Sequence, residues 1–213
     1  MKNFLSIAAC ICAAFILFSC AVLPTETSFS LPPETTVDMP PFERLVPPEN
    51  IMGKGSVPAE KMAEFLLQSN MRANRDFVFT LSQLYVEEAA GEGVNHDIVF
   101  AQMCLETGFL QYGNLVTPDM NNFCGLGAIG PGQPGLSFPN PRTGVRAHIQ
   151  HIKAYATDRP LNNELVDPRY RYVKLGSSPA IYGLSGTWAA DMGYGVKIKN
   201  ILQRLYEFSF DNN

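Results

Sequence analysis

Basic residues are scarce in this chain of 213 residues, which has 16 lysines and arginines against 20 aspartates and glutamates. The formal net charge is −4, and no stretch of the chain concentrates lysine or arginine. Proteins that bind nucleic acid present a basic face to the phosphates, so the sequence argues against a nucleic-acid partner. We also expect the protein to be a monomer.

The sequence also lacks the cysteine and histidine spacings that are typical of metal sites. No two cysteines are separated by two residues, and the histidines are His96, His148 and His151. His148 and His151 lie three residues apart in one predicted helix, but a zinc site needs further ligands. A structural or solvent-facing role is therefore predicted for both histidines, and neither a metal nor another cofactor is expected.

The N-terminus carries an apolar run from Phe4 to Phe18, which is short for a membrane span of about 20 residues. Lys2 precedes it, as in the charged region of a secretory signal, so residues 1–19 are predicted to be a signal peptide. The segment Leu17-Phe18-Ser19-Cys20 resembles a bacterial lipobox, whose cysteine becomes the lipidated N-terminus. The alternative is a plain secretory signal in which Cys20 has no role. The sequence thus predicts an exported, membrane-anchored lipoprotein of the cell envelope, periplasmic or surface-facing.

Residues 20–50 are rich in Pro, Thr, Ser and Glu and cannot bury enough apolar surface to fold alone. They are predicted to form an extended tether after the lipidated cysteine. From residue 51 to residue 213 the pattern becomes globular, and this part is predicted to be a single domain.

Helical spacing of apolar residues predicts five helices in that domain. The first helix is predicted to begin at Pro58. The other four are predicted to cover about 75–90, 96–106, 143–156 and 196–206. Two short strands are predicted at 123–126 and 136–138, around a turn rich in Gly and Pro. The predicted fold class is α+β, mostly α, with a small β-hairpin.

Glu106 ends the third predicted helix, two residues before a break at Gly108. Leu105 and Phe109 flank it, and partial burial among apolar groups raises the pKa of a carboxyl. A carboxyl that keeps its proton near neutral pH can donate it to a glycosidic oxygen. Taken without its surroundings, however, a glutamate at a helix end is usually a solvated surface residue.

Four short motifs change that balance because they occur in a fixed order. They are Glu-Thr-Gly at 106–108, Asn-Asn-Phe-Cys-Gly-Leu-Gly at 121–127, Gly-Val-Arg-Ala-His-Ile-Gln at 144–150 and Trp-Ala-Ala-Asp-Met-Gly-Tyr-Gly-Val-Lys-Ile at 188–198. Together they resemble the glucosaminidase family of peptidoglycan hydrolases, glycoside hydrolase family seventy-three. The resemblance covers about residues 51–208.

The resemblance implies a lysozyme-like, two-lobed domain with a small β-hairpin lobe. It implies an endo-β-N-acetylglucosaminidase that hydrolyses the β-1,4 bond after N-acetylglucosamine in the glycan strands of peptidoglycan. Glu106 matches the general acid, and Tyr194 matches the catalytic tyrosine of the cleft. The positions assigned to substrate binding are Asn122, Phe123, Gly125 and Gln102.

The chain departs from the pattern of two catalytic carboxylates. No Asp or Glu occurs between Met120 and Thr157, where some family members have a second acid. Asp119, Asp158 and Asp191 are the remaining candidates. The preferred alternative is substrate assistance, in which the 2-acetamido group of the sugar attacks the anomeric carbon.

Three other functions stay open at this point. A lytic transglycosylase of the same fold would also use a single glutamate. A Cys-His amidase or peptidase would use Cys104 or Cys124, which could instead form a disulfide or remain buried thiols. A non-catalytic glycan-binding lipoprotein would need no acid at all.

Overall fold

A computed structural model of the protein describes residues 46–113, 115–128, 130 and 132–210. The predicted signal peptide, Cys20 and most of the predicted tether lie outside the described residues. Packing begins slightly before residue 51, because the backbone carbonyl of Glu49 accepts a hydrogen bond of 2.9 Å from the N–H of Ile181. None of the helices in the described ranges is long and apolar enough to cross a membrane.

The five predicted helices all form, and the mostly helical fold class is confirmed. They are α1 (Ala59–Ser69), α2 (Arg75–Glu92), α3 (His96–Thr107), α4 (Pro141–Ala156) and α5 (Tyr194–Phe210). Short 3-10 helices occur at Pro118–Met120, Tyr170–Tyr172 and Ile181–Leu184.

Local sequence accounts for most helix ends. The side chains of Asn74, Asn95 and Asn140 accept hydrogen bonds from the first-turn N–H groups of α2, α3 and α4. Gly93 and Gly108 follow α2 and α3 in the left-handed conformation that favours glycine. These caps explain why the predicted boundaries differ from the observed ones by only a few residues.

Helix α3 is the centre of the domain. Every residue from Ile98 to Cys104 is fully buried, and α3 packs against α2 and α5. Helix α2 also packs against α1 and α4, and α5 also packs against α1. The last turn of α3, which carries Glu106, therefore projects from the most enclosed helix of the fold.

The predicted β-hairpin is reduced to isolated contacts. In the described part of residues 120–138, Gly130 forms a single bridge with Gln133, and the N–H of Leu136 donates to the carbonyl of Leu126 over 2.7 Å. Gly125 and Gly127 adopt positive φ values within and directly after the first predicted strand, and the side-chain amide of Asn122 bonds to the carbonyl of Leu136, so a regular ladder does not form between the two predicted strands.

Candidate active site

Glu106 lies in the last turn of α3 at the wall of a cleft of about 240 Å³. The cleft is built from the end of α3, the turn after it and the glycine-rich loop before α4. Its described lining residues are Glu106, Thr107, Tyr112, Leu115, Val116, Asn122, Gly125 and Ala128. The half-buried carboxyl group of Glu106 is the only carboxyl among them.

Two donors converge on one oxygen of this carboxyl. The phenol of Tyr194 donates to Oε1 of Glu106, and the indole N–H of Trp188 donates to the same atom over 2.9 Å. Oε2 has neither donor and lies toward Gly125, where a Cβ atom would be 3.8 Å away. Because Oε1 is already an acceptor twice, the acid proton belongs on Oε2, on the side of the cleft.

The environment also keeps that proton in place. Burial raises the pKa of Glu106 above the usual glutamate value, although the hydrogen bonds from Tyr194 and Trp188 act in the opposite direction. The two donors stabilise the carboxylate that would form once the proton leaves. The site therefore combines a carboxyl that is harder to ionise with two groups that donate hydrogen bonds to its ionised form.

A strained turn shapes the next part of the cleft. Phe109, Leu110 and Tyr112 adopt φ values of 57°, 61° and 56°, in a region that costs a non-glycine residue about 1–2 kcal/mol. Thr107 supports the turn, because its hydroxyl accepts from the N–H of Leu110 over 2.9 Å and its carbonyl accepts from the N–H of Tyr112 over 2.8 Å. The turn brings Tyr112 to the cleft, and burial raises the pKa of Tyr112 to about 12. Its phenol is neutral at physiological pH.

Behind Tyr194, a row of side chains leads into the core. The amide nitrogen of Gln102 lies 2.9 Å from the Tyr194 hydroxyl, and its oxygen lies 3.1 Å from Nε2 of His148. Nδ1 of His148 lies 3.0 Å from the hydroxyl of Tyr85. We call Tyr85, His148, Gln102, Tyr194 and Glu106 the polar chain. It connects α2, α4, α3 and α5 to the acid.

Trp188 is held by a second group of side chains. Its ring centroid lies 5.1 Å from that of His151, 5.6 Å from that of Tyr155 and 5.8 Å from that of His148. Nδ1 of His151 is in turn 2.7 Å from a carboxylate oxygen of Asp167. This packing orients the indole N–H toward Glu106. His148 and His151 are both buried, so they have the structural role predicted for them rather than the solvent-facing one.

Two expected substrate contacts are corrected by burial. Phe123 is fully buried and packs against Phe77, with ring centroids 6.4 Å apart, so it belongs to the core and presents no face to a sugar. Gln102 is fully buried as well, and its amide bonds to Tyr194 and His148. The conformation of the glycine-rich loop places the Phe123 ring in the core, and the motif alone does not show whether this ring is buried or exposed.

Asn122 lines the cleft, but its amide is already bonded to the loop. Nδ2 donates to the carbonyls of Leu126 and Leu136 over 2.9 and 2.8 Å, and Oδ1 accepts from the N–H groups of Leu126 and Cys124 over 2.9 and 3.4 Å. No polar atom of this side chain is left for a sugar, so its expected direct contact is replaced by a loop-shaping role. Gly125 does line the cleft beside Glu106.

The three aspartates considered for a second catalytic carboxylate do not line this cleft. Asp119 and Asp158 are exposed. Asp191 is exposed and pairs with Lys197 over 2.6 Å, and it also accepts the N–H of Gly193. Cys104 and Cys124 are both free and buried, which leaves no disulfide between them.

Sequence reasoning missed Trp188, Tyr85 and the link of His148 to the site. The signal for His148 was present, since it shares the apolar face of α4 with Val145, Ile149 and Ile152 at spacings of three, one and four residues. Trp188 is the chain's single tryptophan and lies in a quoted motif, yet nothing in the sequence places its N–H on Glu106.

Comparison with known proteins gives three findings. The family model for Glucosaminidase, described as mannosyl-glycoprotein endo-beta-N-acetylglucosaminidase, matches residues 82–207. An uncharacterized protein of Borreliella burgdorferi is 40% identical over 162 residues, which are 76% of this chain and 79% of that protein. A crystal structure of S. aureus autolysin E with the muropeptide NAM-L-Ala-D-iGlu aligns with a TM-score of 0.47 and 14% identity, over 76% of this chain and 72% of that one.

Proposed function

Because the chain belongs to the glucosaminidase family, we propose that it hydrolyses the β-1,4 bond after N-acetylglucosamine in peptidoglycan, with Glu106 as the general acid. The observation that carries this proposal is the arrangement of the Glu106 carboxyl. It lines a cleft, it has a raised pKa, and both of its donors occupy the oxygen that does not face the loop of Gly125.

In the first step, Oε2 of Glu106 gives its proton to the glycosidic oxygen as the bond to the anomeric carbon breaks. The carboxylate left behind is stabilised by the O–H of Tyr194 and the N–H of Trp188, which already point at Oε1. Donors that are in place before charge develops need no reorganisation during the reaction. Tyr194 thus acts directly on the catalytic acid.

The group that attacks the anomeric carbon is assigned to the substrate. Glu106 is the only carboxyl among the described residues that line the cleft, which supports attack by the oxygen of the sugar's own 2-acetamido group. Water then opens the cyclic intermediate, and the Glu106 carboxylate takes up one of its protons. This returns the acid to its starting state and releases a reducing N-acetylglucosamine end.

The cellular location of the protein is a second part of the proposal. Export by residues 1–19 and lipidation of Cys20 would hold the domain at a membrane within the cell envelope, and residues 20–50 would give it reach toward the wall. Labelling cells with a radioactive fatty acid tests this: the wild type should take up label and Cys20→Ser should not. Label retained by Cys20→Ser would show that the acyl chain is elsewhere.

Product analysis tests the activity. Purified peptidoglycan is digested with the wild type, Glu106→Gln and the control Glu64→Gln, whose glutamate pairs with Lys61 on the surface of α1. The ends are then reduced and identified by mass spectrometry. The wild type and Glu64→Gln should release reduced N-acetylglucosamine ends, and Glu106→Gln should be slower by about 10²–10⁴-fold.

Two results would overturn the assignment. Anhydro-muramic products would identify a lytic transglycosylase, which likewise needs a single acid. Undiminished activity in Glu106→Gln would remove the general acid. The Cys-His alternative has little support here, since both thiols are buried and burial raises the pKa of Cys104 and Cys124 away from the reactive thiolate.

A further inference from the structure

The polar chain can exist in two directions, and only one of them serves the acid. In the first, each member donates toward Glu106, and the phenol of Tyr194 gives its proton to Oε1 of Glu106. In the second, the amide of Gln102 is turned round and accepts the Tyr194 proton. Glu106 must then donate to Tyr194, which places its own proton on Oε1 and away from the cleft.

The inner end of the chain decides between these directions. The hydroxyl of Tyr85 is fully buried, and among the described residues its hydrogen-bond partner is Nδ1 of His148. A buried O–H without an acceptor is costly, whereas an unused lone pair of a phenol costs much less. Tyr85 therefore donates, and Nδ1 of His148 accepts.

The remaining steps follow from this one. Burial lowers the pKa of His148 to about 3, so the ring is neutral and has one N–H. With Nδ1 as acceptor, that proton is on Nε2 and goes to the oxygen of Gln102, 3.1 Å away. The amide nitrogen of Gln102 must then face Tyr194, whose proton is left for Glu106.

We propose that Tyr85 and His148 are positioning residues that fix the direction of the polar chain and so keep the transferable proton of Glu106 on Oε2. The role of this proton rests on the proposed function. The direction of the polar chain does not depend on that function, because it follows from contacts inside the core.

Several titratable groups face these residues from the packed elements. Three titratable groups lie around Glu106: Tyr194 of α5, and Cys124 and Tyr112 of the cleft loops. Two face His148: Tyr85 of α2 and His151 of α4. Burial raises the pKa of each of the three tyrosines, Tyr85, Tyr112 and Tyr194, and of Cys124. All four therefore stay neutral while Glu106 titrates.

The direct test is the tautomer of His148. Nitrogen NMR of the full-length chain with labelled histidine gives signals from three residues, and a His148→Phe sample identifies the signal of interest. We expect a neutral ring with its proton on Nε2 throughout the neutral range. A ring with its proton on Nδ1, or a charged ring at neutral pH, would overturn the proposal whether or not the protein cuts peptidoglycan.

The activity test uses Tyr85→Phe, which keeps the ring and removes only the donor. In the variant Nδ1 of His148 has no partner in either direction, so the inner end of the polar chain is no longer held by a hydrogen bond. Part of the population can then have Glu106 donating to Tyr194, which stabilises the protonated acid. We expect kcat to fall on the order of tenfold and the alkaline limb of the rate profile to move to higher pH. The control Ile152→Val, in the buried face of α4, should lower Tm without moving that limb.

A Tyr85→Phe variant with an unmoved alkaline limb would reduce Tyr85 to a structural residue and contradict the proposal. If the wild type releases no glycan ends at all, the proposed function fails. In that case the His148 tautomer still shows which direction the polar chain has.

Discussion

At the residue scale, the site depends on how the two oxygens of Glu106 differ. Oε1 receives the donors of Tyr194 and Trp188, and Oε2 faces the loop of Gly125. A glutamate on the surface of a helix has equivalent oxygens and ionises at its usual pKa. The difference comes from residues that are 82 and 88 positions away in the chain.

Trp188→Phe should separate the indole N–H from the packing of the ring. Phenylalanine still fills space between His151 and Tyr155, but Oε1 of Glu106 loses a donor that lowers its pKa. We expect slower hydrolysis and an alkaline limb at higher pH, measured as turnover against pH. Tyr155→Phe is the matched control, since it removes a hydroxyl near Thr187 and leaves Glu106 untouched. Equal profiles for Trp188→Phe and wild type would show that the indole N–H does not act on the acid.

Glu106→Gln should be more stable than the wild type as the pH rises. Burial raises the pKa of Glu106 in the folded state, so below the unfolded value both states hold the proton and folding carries no penalty. Between the unfolded and the folded pKa the unfolded chain loses its proton first, and wild-type stability falls. We expect the difference in Tm between Glu106→Gln and wild type to grow through this window. A difference that stays constant with pH would contradict a raised pKa.

At the scale of elements, the glycine-rich loop needs close contact with α4. A Cβ atom on Gly144 would lie 1.8 Å from the backbone oxygen of Asn121, which cannot move without the loop. We expect Gly144→Ala to cost about 1–3 kcal/mol of stability and to lower activity by shifting the wall formed by Asn122 and Gly125. Gly91→Ala in α2 is the control, because its Cβ would meet the flexible end of Asn163 at 3.0 Å.

Urea unfolding and turnover of both glycine variants check this prediction. Loss of stability without loss of activity in Gly144→Ala would mean that the loop position does not matter to the reaction.

The elements differ in how far the sequence predicts them. The five helices follow from apolar spacing and from local caps such as Asn95 and Gly108, which act within a few residues. The segment between α3 and α4 could not be predicted in the same way. Its shape depends on Phe123 reaching the core and on the amide of Asn122 bonding to Leu136, both of which need the folded chain.

At the scale of the whole molecule, a buried ion pair joins α2 and α4, two of the helices that carry members of the polar chain. Nζ of Lys153 in α4 lies 2.7 Å from a carboxylate oxygen of Glu92 at the end of α2, and the two residues are 2% and 1% exposed. Glu92 also accepts the N–H groups of Asn162 and Asn163 over 2.9 and 3.0 Å. The pair thus connects two helices with the loop after α4.

Lys153→Met should therefore destabilise the whole domain. It leaves the buried carboxylate of Glu92 without its cation, a change that costs about 3–5 kcal/mol. Lys61→Met is the matched control, because Lys61 pairs with Glu64 on the surface over 3.1 Å and such pairs contribute about 0.3–0.5 kcal/mol. Urea unfolding compares the two variants, and equal losses would show that burial does not strengthen the role of the Lys153 pair.

The whole molecule also explains which site residues the sequence could supply. Glu106 and Tyr194 belong to motifs, so the resemblance was enough to select them. Gln102, His148 and Tyr85 act through contacts across 46 and 63 positions of the chain, and no local pattern links them. Only the packing of α2, α3, α4 and α5 brings them into one row.

The titration of Glu106 itself tests the central claim most directly. Carbon NMR of labelled glutamate, with Glu106→Gln to assign the signal, gives the pH at which this carboxyl ionises. The same preparation gives the alkaline limb of peptidoglycan hydrolysis. We predict that Glu106 titrates above the usual glutamate value and that its midpoint coincides with the alkaline limb. A carboxyl that ionises at or below the usual value, while hydrolysis continues at higher pH, would contradict its role as the proton donor.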